Sequence, residues 1–285
     1  MLEISPRVCT SSTGPGLLKV WKGPQSVSGT TTRIALPHYT VGLAARRGSR
    51  VICTQSPQEK GPKPAGSTSL SSFPPLSYTQ LAYPGADGNM APFLPQPVDL
   101  NVVESQAVEL DYINSTFSRG HLNPSLHHQT HACRSATFTL TNVVPQRIGS
   151  NDGPWEILEQ TVNMTLSAYC LGEAYVVTGI IPYRGKGPWI KNRVAVPEYM
   201  WSAYCCPSYN HSLPEELRDS FPTFAAVGRN DQNSTEEIVP IDKTAKKQFR
   251  GYDVRQMPLK TLEMYLKDRF NTVISVFYEQ CAESN

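Results

Sequence analysis

The stretch Ser150-Asn151-Asp152-Gly153-Pro154 ends one element and begins another, and it constrains this chain more than any other feature. Asn, Asp and Gly are turn formers, while Pro suits the first turn of a helix, where its missing N–H would have no partner. Trp155, Leu158, Val162, Leu166 and Tyr169 then recur at helical spacing, and Gly172 can stop the run. Ala174–Ile181 (AYVVTGII) is a short apolar run that reads as a buried strand. Ala136–Thr141 alternates apolar and polar residues and predicts another strand, as do Val194–Val196 and Met200–Cys205. Leu259, Leu262, Leu266 and Phe270 predict an amphipathic helix over Pro258–Phe270. Strands and helices interleave irregularly, which favours an α+β domain with a mixed or antiparallel sheet over a doubly wound parallel one.

Charge divides the chain more sharply than its net +2 suggests. Residues 1–75 carry nine Lys and Arg against two Glu, a net +7, and the remainder carries −5. The first segment is also rich in Ser, Thr, Gly and Pro. Such a stretch buries too little apolar surface to offset its ordering entropy. The expected organisation is therefore a poorly ordered basic segment over 1–75, with a strand at Thr32–Leu36, followed by one domain over 76–285. No run approaches the roughly 18 apolar residues of a membrane helix, and nothing near Met1 has the pattern of a secretory leader. Seven cysteines and sequons at Asn114, Asn163, Asn210 and Asn233 point instead to an oxidising, secretory context. Adjacent Cys205 and Cys206 are strained partners for each other, so disulfides to Cys170 or Cys281 are the alternatives.

The chemistry concentrates in Ser118-Arg119-Gly120-His121-Leu122-Asn123-Pro124, in Leu140–Gln146, and in Asn151 through Glu159. Phosphodiester hydrolysis needs a base for water, neutralisation of phosphate charge, and help for the departing oxygen. His121 supplies a base whose ordinary pKa lies near neutrality. Arg119 offers forked donors to phosphate oxygens, and Arg147 is a second candidate contact. Mg²⁺ parts with its waters reluctantly and needs few protein ligands, so the single side-chain oxygen of Asn151 is a sensible anchor. Glu159, two helical turns further on, is placed to orient a water of the hydrated ion.

Arg-Gly-His-Leu, a Leu-Thr-Asn-x-x-Pro-Gln segment and Asn-x₃-Trp-x₂-Leu-Glu, in this order, resemble the DNA/RNA non-specific endonuclease family, and most closely a vertebrate branch of it. The resemblance covers residues 78–281. It implies a ββα-metal nuclease core, a DNA or RNA substrate, and Mg²⁺, Mn²⁺ or another divalent cation. It also implies His121 as general base, Asn151 as the direct metal ligand, and Glu159 as holder of a metal water. Arg119 would contact phosphate, and Asn142 would position His121 or the scissile phosphate. It further implies a secreted protein. Where the wider family has Asp, this chain has Ser118, which would remove a carboxylate near the metal water.

Two other readings stay open at this point. A catalytically weak member could act as a secreted nucleic-acid-binding or immune interaction protein. His127, His128 and His131 could join His121 in a zinc site, although no carboxylate or cysteine pair completes it. Lys186, Lys191 and Arg193 could form a phosphate-binding stripe with Arg147 and Arg184, or simply a solvated loop.

Overall fold

Ala174–Ile181 is buried along nearly its whole length, as its unbroken apolar run requires, and lies inside a five-stranded sheet. The computed structural model describes residues 39–44, 77–79, 90–92, 100, 103 and 107–277. In chain order the strands are β1 (Tyr39–Ala44), β2 (Ser77–Thr79), β3 (Met90–Pro92), β4 (Phe117–His121), β5 (Val143–Arg147), β6 (Ala174–Ile181), β7 (Trp189–Ile190), β8 (Val194–Ala195), β9 (Tyr199–Cys205), β10 (Thr223–Arg229) and β11 (Val254–Met257). The helices are α1 (Glu109–Tyr112), α2 (His131–Ala136), α3 (Ile148–Asn151), α4 (Pro154–Tyr169) and α5 (Leu259–Phe270). The sheet runs β1-β6-β9-β10-β11, and each neighbouring pair is antiparallel. The fold is thus α+β with an antiparallel sheet, as the sequence predicts.

Alternation along the strands divides the core in two. Val176 and Ile180 of β6, Met200 and Tyr204 of β9, and Ala226 of β10 face one side, where they meet Trp155, Leu158, Val162 and Leu166 of α4. Val177, Ile181, Tyr199, Trp201 and Val227 face the other and meet Leu259, Leu262 and Leu266 of α5. Both helices therefore use the apolar spacing that identifies them. Each such side chain contributes about 1.5–3 kcal/mol on burial. Pro154 occupies the first turn of α4, and Cys170 caps its end. Cys170 is bonded to Cys206, just beyond β9, with Cα atoms 6.0 Å apart, which ties α4 to the sheet.

One expectation needs correction. Ala136–Thr141 is not a strand: it contains the end of α2 and the start of a 3-10 turn over Leu140–Asn142. Thr137 closes α2 by donating its hydroxyl to Arg134 O at 2.8 Å, and Asn142 N bonds Thr139 O at 2.9 Å. The alternation is that of buried threonines in a turn, and the strand begins at Val143. Residues 39–44, inside the segment read as poorly ordered, form β1 and pair with β6 from Tyr39↔Gly179 to Ala44↔Ala174. The strand expected at Thr32–Leu36 lies outside the described residues. Among those residues no helix is long and apolar enough to cross a membrane.

β4 and β5 form a separate two-stranded hairpin, with α3 packed against both strands and leading directly into α4. Asn230, buried at the end of β10, joins hairpin to sheet. Its Oδ1 accepts from Arg147 N at 2.8 Å, and its Nδ2 donates to Pro145 O at 3.0 Å and Pro197 O at 2.9 Å. Asn230→Ala would leave these backbone groups without partners. The expected loss is about 2–4 kcal/mol in a urea titration; a loss below about 1 kcal/mol would show that the hairpin is held elsewhere.

Candidate active site

The register of the hairpin pairs Phe117 with Arg147, Arg119 with Pro145 and His121 with Val143. Side chains opposite one another share a face. Arg119, His121 and Arg147 therefore stand on one face, while Ser118 and Gly120 stand on the other. On that second face a Cβ at Gly120 would overlap the Gln146 side chain, its Cβ–Cβ separation being 2.7 Å. Gln146 is fully buried and donates to Ser150 Oγ at 2.9 Å, just after the start of α3. Glycine in the first motif and glutamine in the second are thus one packing requirement read in two places. Ser118 donates its hydroxyl to Gln146 O at 2.9 Å. It braces the hairpin from the face opposite His121, so the Asp-to-Ser departure does not subtract a group from the His121 face.

Asn142 fixes the chain immediately after His121. Its Oδ1 accepts from Asn123 N at 3.0 Å, and its Nδ2 donates to Asn123 O at 3.0 Å and Thr137 O at 2.9 Å. Its backbone carbonyl accepts from Leu122 N at 2.9 Å. With both amide hydrogens committed and the residue buried, Asn142 has no donor left for a phosphate. Of its two expected roles, only the positioning of His121 is compatible with this geometry.

His121 meets Phe138 edge to face at 4.7 Å between ring centres. Burial lowers its pKa to about 4, so the ring is neutral near pH 7. Neither ring nitrogen has a hydrogen-bond partner among the described residues, and Nε2 is fully enclosed. Arg119 lies 5.5 Å above the Tyr112 ring and 3.7 Å from Glu109, and its Nε is buried without a partner among the described residues. Arg147 stacks on Phe117 at 4.3 Å. Asn151 ends α3 and donates its Nδ2 to Asp152 Oδ1 at 2.9 Å, which leaves its Oδ1 without a partner among the described residues.

Glu159 lies on α4, where burial raises its pKa to about 8. The indole of Trp155 favours its charged form and Glu156 opposes it. His127 bonds the Glu159 carbonyl through Nε2 at 3.0 Å, and His128 bonds Asn123 Oδ1 through Nε2 at 2.9 Å. Both acceptors are oxygens that cannot donate, so each Nε2 carries its proton. These rings brace the loop after β4 against its surroundings. Among the described residues there is no cluster of three metal-binding side chains. Nor does any hydrogen bond or ion pair join the side chains of His121, Asn151 and Glu159.

The basic stripe also does not assemble. Arg184 is engaged by Glu237, at 2.6 Å, and by Asp268; Arg193 pairs with Asp111 at 2.9 Å, and Lys191 donates to Leu110 O. Of this set Arg147 stands on the His121 face, and Lys186 is exposed. Sequence reasoning missed Asn123, Gln146 as a packing partner, and Asn230. Only Asn123 and Gln146 sit inside the motifs that drew attention; nothing local marks Asn230.

A profile of the DNA/RNA non-specific endonuclease family matches residues 90–260. Human endonuclease domain-containing 1 protein is 38% identical over 106 residues, which are 35% of this chain and 20% of that protein. A nuclease of Nostoc sp. is 34% identical over 91 residues, 32% of each chain. A crystal structure of the EndoG/EndoGI complex is similar over 55% of this chain and 60% of that one, at 26% identity and a TM-score of 0.40. The matches thus span a fifth to a third of these two curated relatives.

The buried groups give stability opposite slopes with pH. His121 and His127, both lowered to about 4 from 6.5, bind fewer protons folded than unfolded between those values, so stability falls as pH drops through that window. Glu159, raised to about 8 from 4.5, binds more protons folded, so its contribution is lost as pH rises through that window. Two histidines outweigh one carboxyl below about pH 6.5, where the urea midpoint should peak. Glu159→Gln should remove the alkaline decline; a decline that survives this substitution would show that another group causes it.

Proposed function

Since the chain belongs to the DNA/RNA non-specific endonuclease family, we propose that it is a phosphodiester hydrolase, cutting DNA and RNA with little base preference and aided by a divalent cation. The observation that carries this reading is the single hairpin face shared by Arg119, His121 and Arg147, with the helix bearing Asn151 packed on both strands. His121, neutral and with no hydrogen-bond partner among the described residues, takes the proton of a water attacking phosphorus. A new O–P bond forms, the bond to the departing sugar oxygen breaks, and that oxygen takes a proton from solvent. Arg119 and Arg147 neutralise phosphate oxygens, and neither reads a base edge, which accounts for the lack of sequence preference. Asn142 acts through the backbone of Leu122 and Asn123 and holds His121 in place.

The donor set fits Mg²⁺: one hard amide oxygen on Asn151, without another bond among the described residues, suits an ion that keeps most of its waters. When bound there, the ion supplies charge stabilisation to the phosphate in its most crowded state. Glu159, on α4, would orient a water of that ion, whose charge favours the carboxylate form. Mn²⁺ can replace Mg²⁺ on the same oxygen. The Cys170–Cys206 bond supports an oxidising, extracellular setting. Of the four sequons, Asn114, Asn210 and Asn233 are exposed, whereas Asn163 donates to Leu126 O across α4.

Purified chain incubated with plasmid DNA and with RNA should cut both in Mg²⁺ and neither in chelator. His121→Ala should lower the rate by about 10²–10⁴-fold. Intact substrate in every lane, with nucleic acid still bound, would instead favour the binding-protein reading.

A further inference from the structure

The segment Asp242–Arg250 (DKTAKKQFR) carries four cations, Lys243, Lys246, Lys247 and Arg250, against one acid. We infer that this loop is a nucleic-acid contact surface, in which Lys243, Lys246 and Lys247 bind the phosphate backbone of a strand running past Asn151. The inference rests on the nuclease reading and adds a surface to it.

Packing fixes where the loop lies. The Tyr252 ring sits directly on Gly149, where any Cβ would overlap it, and Gln248 O is 3.1 Å from the same position. The Phe249 ring sits on Gly153, with Cδ1 2.8 Å from where a Cβ would be. The segment 248–252 therefore runs along residues 149–153, and Asn151 lies between its two contacts. Glycine is needed at both positions because an aromatic ring replaces the side chain. Backbone bonds from Phe249 N to Lys246 O, 2.8 Å, and from Arg250 N to Lys246 O, 3.0 Å, hold the lysine turn in shape.

The charges on this loop are unequally committed. Asp242 is exposed and bonds within the loop, its Oδ1 accepting from Thr244 N at 2.7 Å and from Thr244 Oγ1 at 2.6 Å. Asp253 accepts from Gly251 N, and Asp152 from Asn151. Arg250 donates to Ala245 O and braces the loop. Lys243, Lys246 and Lys247 are exposed and form no ion pair among the described residues. These acids bond within the loop's own turns, and among the described residues none of them pairs with the three exposed lysines. This is the arrangement that attracts a polyanion, and it contrasts with Arg184 and Arg193, whose charges are already met by carboxylates.

The test is binding of a fluorescein-labelled DNA duplex in chelator across a range of KCl, for the full chain and two charge-matched variants. Lys246→Gln/Lys247→Gln should bind about tenfold more weakly at 0.1 M salt, with a slope of log K against log salt reduced by about 1–2. Lys260→Gln/Lys267→Gln, on α5 across the sheet, should stay within about twofold of the unaltered chain. An unchanged slope in the first variant, or an equal fall in the second, would overturn the loop assignment while the unaltered chain still cut DNA in Mg²⁺. An unaltered chain that neither bound nor cut the duplex would overturn the nuclease reading, and this inference with it.

Discussion

The placement of His121 in the candidate site depends on the buried side-chain amide of Asn142. It meets Asn123 in both directions and Thr137 in a third bond, while its own carbonyl receives Leu122 N. A buried amide left unpaired is costly, so these bonds act together or the turn does not form. The consequence is that the two residues after His121 are held to the residue before β5. The imidazole is thereby aimed from a strand end whose continuation cannot drift. His128 extends the same network through Asn123 Oδ1, and His127 carries it to the carbonyl of Glu159 on α4. The network touches all three regions that the sequence motifs occupy.

A second set of constraints places this unit on the rest of the molecule. Asn230 holds β5 to the end of β10, and Gln146 spans from the hairpin to Ser150 of α3. Beside Asn230, Arg229 is fully buried and donates only to backbone carbonyls: Gly251, Thr235, Val239, Gln232 and Ser234. A charge with no counter-ion is tolerated there because five oxygens surround it. The same cage shapes the chain between β10 and β11, which bears the lysine loop. The metal-binding candidate Asn151 is therefore bordered by two elements, hairpin and loop, each tied to neighbouring residues of one strand end.

Much of this was legible in the sequence where one element's pattern sufficed. Pro154 to Tyr169 announced α4 through its start signal and its apolar spacing, and AYVVTGII announced β6 through an unbroken apolar run. The motif residues were read as a set because their order and spacing resemble the DNA/RNA non-specific endonuclease family, and phosphodiester chemistry offers each type a role. What escaped was whatever depends on partners distant in the chain. Thr137 and Thr139 alternate like a strand, yet they are buried in a turn that Asn142 closes. Arg184 and Arg193 read as free cations because Glu237, Asp268 and Asp111 lie far from them in sequence. Arg229 and Asn230 look like any polar pair after a strand, since their roles exist only once β10 ends against the hairpin. Ser118 looked like a lost catalytic carboxylate until strand alternation put it on the face away from His121.

The central claim is that Asn142 serves the chemistry through His121 and not through the substrate. A double-mutant cycle on plasmid cleavage, with thermal unfolding followed for all four proteins, tests it most directly. Asn142→Ala alone should slow cleavage at least about tenfold, beyond any loss of folded protein. Combined with His121→Ala, it should add nothing to the loss that His121→Ala causes alone. Losses that multiply in the double variant would mean that Asn142 acts independently of His121, and would contradict the account.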